Sequence, residues 1–273
     1  MKKICVIIPQ YGFSDITKKC IFKTFLNAGV PVEILVVDDG SPEPFDKGLL
    51  CGDIHVLRLK ENSGFTNAVN QGILWCGDRY DYIHLLNNDT EPEPDFIKVL
   101  LDVMEANPVI GIASSSRTIE RHDDCGGGRF IENWGIDLVS GYQMCTEVDI
   151  PDEIVYVEWV PLCSALLRME MIRYIGLLDR RMKTHCSDNL YCIHANENGW
   201  NVALVPKSKV FHHQEMTTRE HKRDPRADQA ILINKISGGI YTELLKKLPL
   251  DFGTKTFGKI QFLTYQKTNG KEG

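Results

Sequence analysis

Two carboxylates follow the first strongly β-branched run of the chain. Asp38 and Asp39 stand directly after Val36 and Val37 and precede Gly40. A carboxylate in this place can accept a hydrogen bond from a pyrimidine imide or from a ribose hydroxyl. An ordinary Asp-Gly turn explains the same residues without any ligand. The pattern therefore leaves a turn and a nucleoside site open.

A third carboxylate follows a second apolar run. Asp89 comes after Asn87–Asn88 and shortly before Pro94. A carboxylate with neutral amide oxygens beside it suits a hard divalent cation. The alternative is an Asx-type turn ahead of a helix that begins near Pro94.

Asp188 and His212 are two further candidates. Asp188 follows Ser187 at the start of a helix-period segment, where it can act as a general base or, like Ser187, simply cap the helix. His212 comes directly after the apolar residues Val210 and Phe211. It can be a metal ligand or a structural histidine.

The elements that must position these residues alternate between strand-like and helix-like segments. Strict alternation predicts a parallel sheet covered by helices on both faces, with ligands at the carboxyl ends of its strands. The predicted strands cover 3–9, 32–38, 54–59 and 82–87, and the predicted helices cover 15–28, 66–76 and the stretch from about 94 to before 108.

The second half of the chain is less regular. Over 114–158 the pattern fails, and we expect an excursion of short strands or a mobile loop. Periodicity returns at 160–168, in a helix over 188–198 and in a strand over 202–205. A final helix is predicted after Pro225, followed by a lysine-bearing tail. The apolar stripe of that helix consists of Ile233, Ile236, Ile240, Leu244 and Leu248.

Composition excludes several classes of protein. The 273 residues are 43% hydrophobic and 25% charged, which is typical of a globular protein and not of a disordered one. No apolar run is long enough for a membrane span. A net charge of -6 without a dense basic run argues against a nucleic-acid partner. The nine scattered cysteines indicate reduced thiols, and we expect a cytoplasmic protein.

Taken in order, these residues resemble the inverting family 2 glycosyltransferases of the GT-A fold, and among them the rhamnosyltransferase-like members. The resemblance spans 3–213. Its motifs are Ile8–Pro9–Gln10–Tyr11, Asp38–Asp39–Gly40–Ser41, Asn62-x-Gly64–Phe65 with Asn70 and Gly72, Asn87–Asn88–Asp89, the frame from Ser187–Asp188 to Gly199–Trp200, and His212.

The resemblance implies an α/β architecture. We expect a GT-A, Rossmann-like fold with a mainly parallel central sheet flanked by helices, plus a C-terminal helical extension. The catalytic domain would cover 1–215, with a nucleotide-sugar half over about 1–113 and an acceptor half over about 114–215. The extension and basic tail would cover 216–273.

The resemblance also implies roles for single residues. Asp188 stands where the family has its catalytic base, and Asp89 and His212 stand where it has metal ligands. On the nucleotide-sugar side it implies Pro9, Tyr11, Asp39, Gly64, Phe65, Asn70, Asn88 and Asp89. On the acceptor side it implies Trp159, Leu162 and Cys163.

Four positions depart from the family pattern. Asn87 replaces the first Asp of the metal motif, as it does in several rhamnosyltransferase-like members. Ser187 stands where Glu is usual, Leu190 where a second Asp often follows, and Arg180 where Glu is common. The last three lie on the acceptor side, so acceptor specificity is not carried over.

The expected reaction is transfer of a sugar from a nucleotide-diphosphate sugar to a hydroxyl of a glycan or lipid-linked acceptor, with inversion. Mn²⁺ or Mg²⁺ would neutralise the leaving diphosphate, and Asp188 would take the acceptor proton. We rank dTDP-rhamnose first as donor and UDP-hexoses second.

Two other functions stay open. A sugar-1-phosphate nucleotidyltransferase usually has a Gly-rich loop with Arg and Lys after its first strand. This chain has Gln10–Tyr11–Gly12–Phe13–Ser14 in that place, without Arg or Lys. A non-catalytic protein that binds glycans or nucleotide sugars is the third possibility, suggested by Asn87, Arg180 and Ser187.

The C-terminal tail suggests peripheral membrane contact. Residues 246–273 contain six Lys against Asp251 and Glu272, with Phe252, Phe257, Phe262 and Tyr265 among them. This region could dock on an anionic membrane at the inner face, or it could be a solvated basic end.

Overall fold

The computed structural model describes two long stretches of the chain, over 2–119 except residue 49 and over 154–213, and several short segments. The described residues are 2–48, 50–119, 122–124, 154–213, 227–228, 231–232, 235, 251–257 and 260–266.

Strands and helices alternate through the first hundred residues, as the hydrophobic pattern predicts. The strands are β1 (Ile4–Gln10), β2 (Glu33–Asp38), β3 (Ile54–Arg58), β4 (Tyr82–Leu86), β5 (Thr90–Pro92), β6 (Ile110–Ile119), β7 (His122–Asp124), β8 (Val155–Val157), β9 (Ser164–Arg168), β10 (Asn201–His212), β11 (Asp251–Phe257) and β12 (Ile260–Gln266). The helices are α1 (Ser14–Asn27), α2 (Phe65–Cys76), α3 (Phe96–Ala106), α4 (Met169–Ile175) and α5 (Ser187–Glu197), with a 3₁₀ turn over Gly77–Arg79.

Ten strands form one large sheet. Its order is β3-β2-β1-β4-β9-β6-β10-β5, with β7 beside β6 and β8 beside β10. The α/β fold class is therefore confirmed. The parallel pairing holds for β3, β2, β1 and β4 and for β6 with β10. The insertion of β9 between β4 and β6, antiparallel to both, makes the sheet mixed.

Helices cover both faces of the sheet, and its central strands are therefore buried on both sides. Ile8 and Val36 belong to the core on the side of α1 and α3. Their neighbours Ile7 and Val37 belong to the core on the side of α2, α4 and α5. This alternation explains the continuous β-branched runs of β1 and β2.

The ten-residue strand β6 corrects the expectation of short strands or a mobile loop from residue 114 onward. The hydrophobic pattern ends at Ser114, yet β6 continues to Ile119. Ser114, Ser115 and Ser116 are buried and hydrogen bonded inside the fold, Ser115 to the hydroxyls of both Ser164 (2.9 Å) and Ser208 (2.7 Å). Buried hydroxyls with partners carry little penalty, so the polar run does not end the strand.

The C-terminal region combines helix and hairpin. Ala227, Asp228, Ile231, Leu232 and Lys235 are helical, as predicted after Pro225. The apolar stripe from Ile233 to Leu248 lies outside the described residues. Instead of a featureless tail, β11 and β12 form an antiparallel hairpin that pairs Phe252 with Tyr265.

Neither a membrane-spanning helix nor a disulfide occurs in the described part of the chain. No described helix combines the length and apolar character that a bilayer crossing requires. The seven described cysteines carry free thiols.

Candidate functional site

Asp38 is a fixed anion at the end of β2. Its Oδ1 accepts hydrogen bonds from the Ser41 amide (3.0 Å) and from Gln10 Nε2 (3.3 Å). Its Oδ2 accepts from the Phe45 amide (3.0 Å) and pairs with the Arg58 guanidinium. Burial raises the pKa of this carboxyl, but the hydrogen bonds outweigh burial and the net pKa is lowered.

Asp39 joins β2 to the start of α2. Its Oδ1 accepts from the Ser63 amide (2.9 Å) and hydroxyl (2.7 Å), and its Oδ2 accepts from the Gly64 amide (2.8 Å). Gly64 stands at the N-terminus of α2 with a φ of 97°, which favours glycine. The carboxylate is buried and lies at a helix N-terminus, where the peptide dipoles stabilise an anion.

A chain of polar side chains links this region to the end of β4. Gln10 Nε2 donates to the Ser41 hydroxyl (2.9 Å). The Thr17 hydroxyl donates to Gln10 Oε1 (3.4 Å) and accepts from Asn88 Nδ2 (3.0 Å). The two acidic motifs of the sequence therefore meet at one edge of the sheet.

Asp89 and His212 lie side by side although 123 positions separate them in the chain. The distance from His212 Nε2 to Asp89 Oδ1 is 3.0 Å, and both side chains are buried. Asn87 Nδ2 is 3.2 Å from the same nitrogen. Antiparallel pairing brings them together, because β10 places His212 opposite Thr90 in β5.

Asp89 and His212 fit a divalent cation whose remaining ligands come from a substrate and from water. Within the described ranges, no three His, Cys, Asp or Glu side chains cluster as a metal site. A carboxylate oxygen and an imidazole nitrogen 3.0 Å apart supply two ligands. Mg²⁺ in particular commonly takes one or two protein ligands and completes its shell with phosphates and water. His212 Nδ1 is buried and has no hydrogen-bond partner among the described residues.

Asp188 has an environment unlike that of Asp38 and Asp39. It is the second residue of α5, partly exposed, and its Oδ1 accepts from the Asn189 amide (2.9 Å). Desolvation by the surrounding protein raises the pKa of this carboxyl. The Asn189 amide and the charges of Arg117 and His185 oppose the rise without cancelling it.

Cys163 lies near both Asp89 and Asp188. Burial raises the pKa of its thiol, Arg117 opposes this rise, and the charges of Asp89 and Asp188 both add to it. The Cys163 carbonyl also accepts the Asn87 amide (2.9 Å). Asp89 and Asp188 therefore both lie within electrostatic reach of Cys163.

Several residues implied by the resemblance have mainly internal contacts. Asn70 is fully buried, donates to the Leu178 carbonyl (2.8 Å) and accepts from the Leu178 amide (3.0 Å). Trp159 and Leu162 are buried in the core on the side of α2 and α5. Pro9, Tyr11 and Phe65 are partly exposed beside the carboxylates. A ligand role for these six residues stays a prediction.

Sequence reasoning missed the partners that hold the carboxylates. Arg58 stands at the end of β3, in register with Asp38, so its strand-end position was the available signal. Arg117 gave no signal, because it follows three serines in a stretch without hydrophobic periodicity. Asp228 also gave none, since the resemblance ends at 213.

Comparison with known families supports the sequence resemblance. Residues 5–126 match the family model described as glycosyl transferase family 2. The match contains Asp39 and Asp89 and ends before Asp188 and His212.

Two curated relatives are named glycosyltransferases. A glucosyl-dolichyl phosphate glucuronosyltransferase of Haloferax volcanii is 30% identical over 117 residues, covering 39% of this chain and 35% of the relative. Glycosyltransferase GlyA of Streptococcus pneumoniae is 29% identical over 104 residues, covering 36% of this chain and 14% of the relative. The matched segments thus amount to about a third of one relative and a smaller part of the other.

A solved structure shares the fold. The crystal structure of GalNAc-T7 with UDP, GalNAc and Mn²⁺ superimposes with a TM-score of 0.63 at 14% identity, covering 80% of this chain and 45% of that one. Such a likeness establishes the GT-A fold, as the resemblance implied. Rhamnosyl specificity finds no support among these relatives.

Proposed function

We propose that this protein is a metal-dependent, inverting glycosyltransferase that moves a sugar from a nucleotide-diphosphate sugar to a hydroxyl group. The family match over 5–126 and the two relatives support sugar transfer. The observation that carries the proposal is the buried pair of Asp89 and His212, whose Oδ1 and Nε2 atoms lie 3.0 Å apart. Asp188, the candidate base, lies near enough for its charge and that of Asp89 to act together on Cys163.

The donor half would use its fixed carboxylates to receive the nucleoside. Asp39 is held by the amides of Ser63 and Gly64, so it needs little reorganisation when a ribose or base donates to it. Asp38 and Arg58 lie behind it and fix the end of β2. A site arranged before binding loses less entropy on binding.

Asp89 and His212 would hold Mn²⁺ or Mg²⁺ together with the diphosphate. The bound ion would supply charge neutralisation for the leaving diphosphate. Because His212 Nδ1 has no described partner to support the ring, we expect the protein alone to hold the ion weakly. The nucleotide would then be needed for tight metal binding.

Asp188 would take the proton from the acceptor hydroxyl. A base with an elevated pKa drives this proton transfer better than an ordinary aspartate, provided that it is ionised at the working pH. Arg117 lies close enough for its positive charge to favour the ionised form. Attack from the side opposite the leaving group inverts the anomeric centre.

The acceptor is proposed as a glycan or a lipid-linked sugar. The name of the Haloferax volcanii relative describes a lipid-linked sugar as its substrate. Donors to compare are dTDP-rhamnose, on the strength of Asn87–Asn88–Asp89, and UDP-hexoses, because GalNAc-T7 was crystallised with UDP.

The test is incubation with a panel of nucleotide sugars, with Mn²⁺, with Mg²⁺ and with chelator, scored for released nucleoside diphosphate. Release that needs a metal and an acceptor supports the proposal. Release of pyrophosphate from a nucleoside triphosphate and a sugar 1-phosphate would instead identify a nucleotidyltransferase. Donor binding without any turnover would identify a binding protein.

We also propose weak peripheral contact with an anionic membrane through 246–273, where the net charge is +4. Each lysine near such a surface contributes about 1 kcal/mol. Co-sedimentation with anionic vesicles should exceed that with neutral vesicles, fall with salt, and be absent from a chain that ends at Leu248. Equal recovery of both chains in the supernatant at low salt would rule this contact out.

A further inference from the structure

A buried carboxylate outside the resembling region binds the loop that leads into α5. Asp228 Oδ1 accepts the Lys183 amide (3.0 Å), and Oδ2 accepts the amides of Thr184 (2.8 Å) and His185 (2.8 Å). We propose that Asp228 is a positioning residue that fixes this loop, and through it Asp188, for the reaction. The proposal rests on the proposed function for the role of Asp188.

The arrangement is built for a negative charge. Asp228 is buried, and an ionised carboxylate is costly to bury unless hydrogen bonds compensate it. Three successive backbone N–H groups converge on its two oxygens, and hydrogen bonds to a charged acceptor are about twice as strong as neutral ones. A simple helix cap would not explain these bonds, because the amides belong to another part of the chain.

The same loop is attached to α2 on its other side. The Thr66 amide donates to the Lys183 carbonyl (3.1 Å), and Asn70 grips both backbone groups of Leu178. Thr66 follows the Gly64 turn that Asp39 holds. The backbone between α4 and α5 thus connects the donor-side carboxylate with Asp228.

One of the two residues between the amides of 183–185 and Asp188 has an unfavourable backbone conformation. Cys186 is not a glycine, yet its φ is 56°, in the left-handed region. Such a conformation persists only where the surroundings hold it. With the amides of 183–185 released, we expect Cys186 to relax and the first turn of α5 to shift, moving Asp188.

The helical residues that carry Asp228 are docked at further points. Leu232 is buried in the core on the side of α5, and Lys235 Nζ donates to Glu197 Oε2 (2.8 Å) near the end of α5. Lys235→Ala removes a contact of the same helical segment without touching the loop. It is therefore the matched control.

The experiment compares Asp228→Ala, Asp228→Asn and Lys235→Ala in the full chain. We expect Asp228→Ala to lower kcat about tenfold or more, since small misplacements of a catalytic group have effects of this size, while KM for the donor changes little. Asp228→Asn should fall between Asp228→Ala and wild type. Its one carbonyl oxygen can still accept the two bonds that Oδ2 makes. Lys235→Ala should resemble wild type.

Hydrogen exchange supplies a readout that does not depend on activity. Amide exchange in a peptide covering 183–186 should rise about tenfold or more in Asp228→Ala, because each charged hydrogen bond is worth about 1.5–3 kcal/mol. Exchange in α1 should not change. If Asp228→Ala does not fold, Asp228→Asn carries both measurements.

Unchanged exchange at 183–186 in the Asp228 variants would overturn the proposal, as would faster exchange with wild-type kcat. Equal kcat losses in Lys235→Ala and Asp228→Ala would reduce Asp228 to general helix docking. If wild type transfers no sugar from any donor, the proposed function fails. The exchange measurement then still decides whether Asp228 holds the loop.

Discussion

The carboxylates on the two sides of the candidate site differ in how the protein treats their charge. Asp38 and Asp39 accept at least seven hydrogen bonds between them, and the pKa of Asp38 is lowered. Asp188 accepts from backbone amides of its own helix turn, such as that of Asn189, and desolvation raises its pKa. The donor side holds fixed anions, whereas Asp188 can still exchange a proton.

This difference follows from where each residue stands. The end of a strand opens into a turn whose amides point back at Asp38, and the N-terminus of α2 offers two more to Asp39. Asp188 lies inside the first turn of α5, beside the buried Cys163 and Cys192, with few donors aimed at it. The same residue type is therefore a fixed anion at the end of β2 and a carboxyl with a raised pKa in α5.

The largest effect is expected for Asp188→Asn. An amide cannot accept the acceptor proton, so kcat should fall ~10²-fold or more, the usual size for a lost general base. Binding of the nucleoside diphosphate, measured by calorimetry, should stay close to wild type. Near wild-type turnover would reduce Asp188 to a helix-cap residue.

The pH dependence of wild type provides the control for this variant. Because the pKa of Asp188 is raised above its ordinary 3.8, the base is lost at a higher pH than for a solvent-exposed aspartate. As the pH is lowered, kcat should therefore decline while the protein is still folded. A carboxyl whose pKa is raised by folding destabilises the folded state when it is ionised. Asp188→Asn should therefore not lower the Tm at neutral pH.

A smaller effect is expected for Asp39→Ala, which removes a fixed anion from the donor side. Affinity for the free nucleoside and for its diphosphate should both fall, by about tenfold or more for a lost charged hydrogen bond. Calorimetry with both ligands measures this. Asp39→Asn keeps the shape and one acceptor oxygen and should lose less.

Asp89→Ala should separate the metal contribution from the nucleoside contribution. Without this carboxylate, Mn²⁺ should no longer strengthen binding of the nucleoside diphosphate, while binding of the nucleoside stays unchanged. The measurement is calorimetry with and without Mn²⁺. Equal losses for every ligand in Asp39→Ala and Asp89→Ala would indicate misfolding and remove the distinction between the two carboxylates.

The smallest effect on activity is expected for Asp38→Asn, which should act on stability. Asp38 is 1% exposed, and weakening its bonds to Arg58 and the Phe45 amide should cost roughly 1–3 kcal/mol. Its folded-state pKa is lowered, so its stabilisation is present above the ordinary value of 3.8 and lost as pH falls through the folded-state value. Tm measured against pH should show an acid-dependent loss that Asp38→Asn reduces.

The sequence determined the fold class and much of the donor side. Continuous β-branched runs such as Val36–Val37 fit only strands buried on both faces, and turn residues mark where those strands end. Apart from the three-residue β5, the first hundred residues follow this local logic, so their strands and helices and the position of Asp39 could be predicted. The polar run Ser114–Ser116 could not, because its burial depends on hydroxyl partners from β9 and β10.

Only the tertiary structure decided which groups meet and what state they are in. His212 reaches Asp89 through the antiparallel pairing of β10 with β5, and Asp228 reaches the loop before α5 from outside the resembling region. The pKa of Asp188 is raised because the surrounding protein removes water from its carboxylate. Local sequence patterns encode period and turn chemistry, whereas contacts between distant segments and the desolvation of a charge are properties of the packed chain.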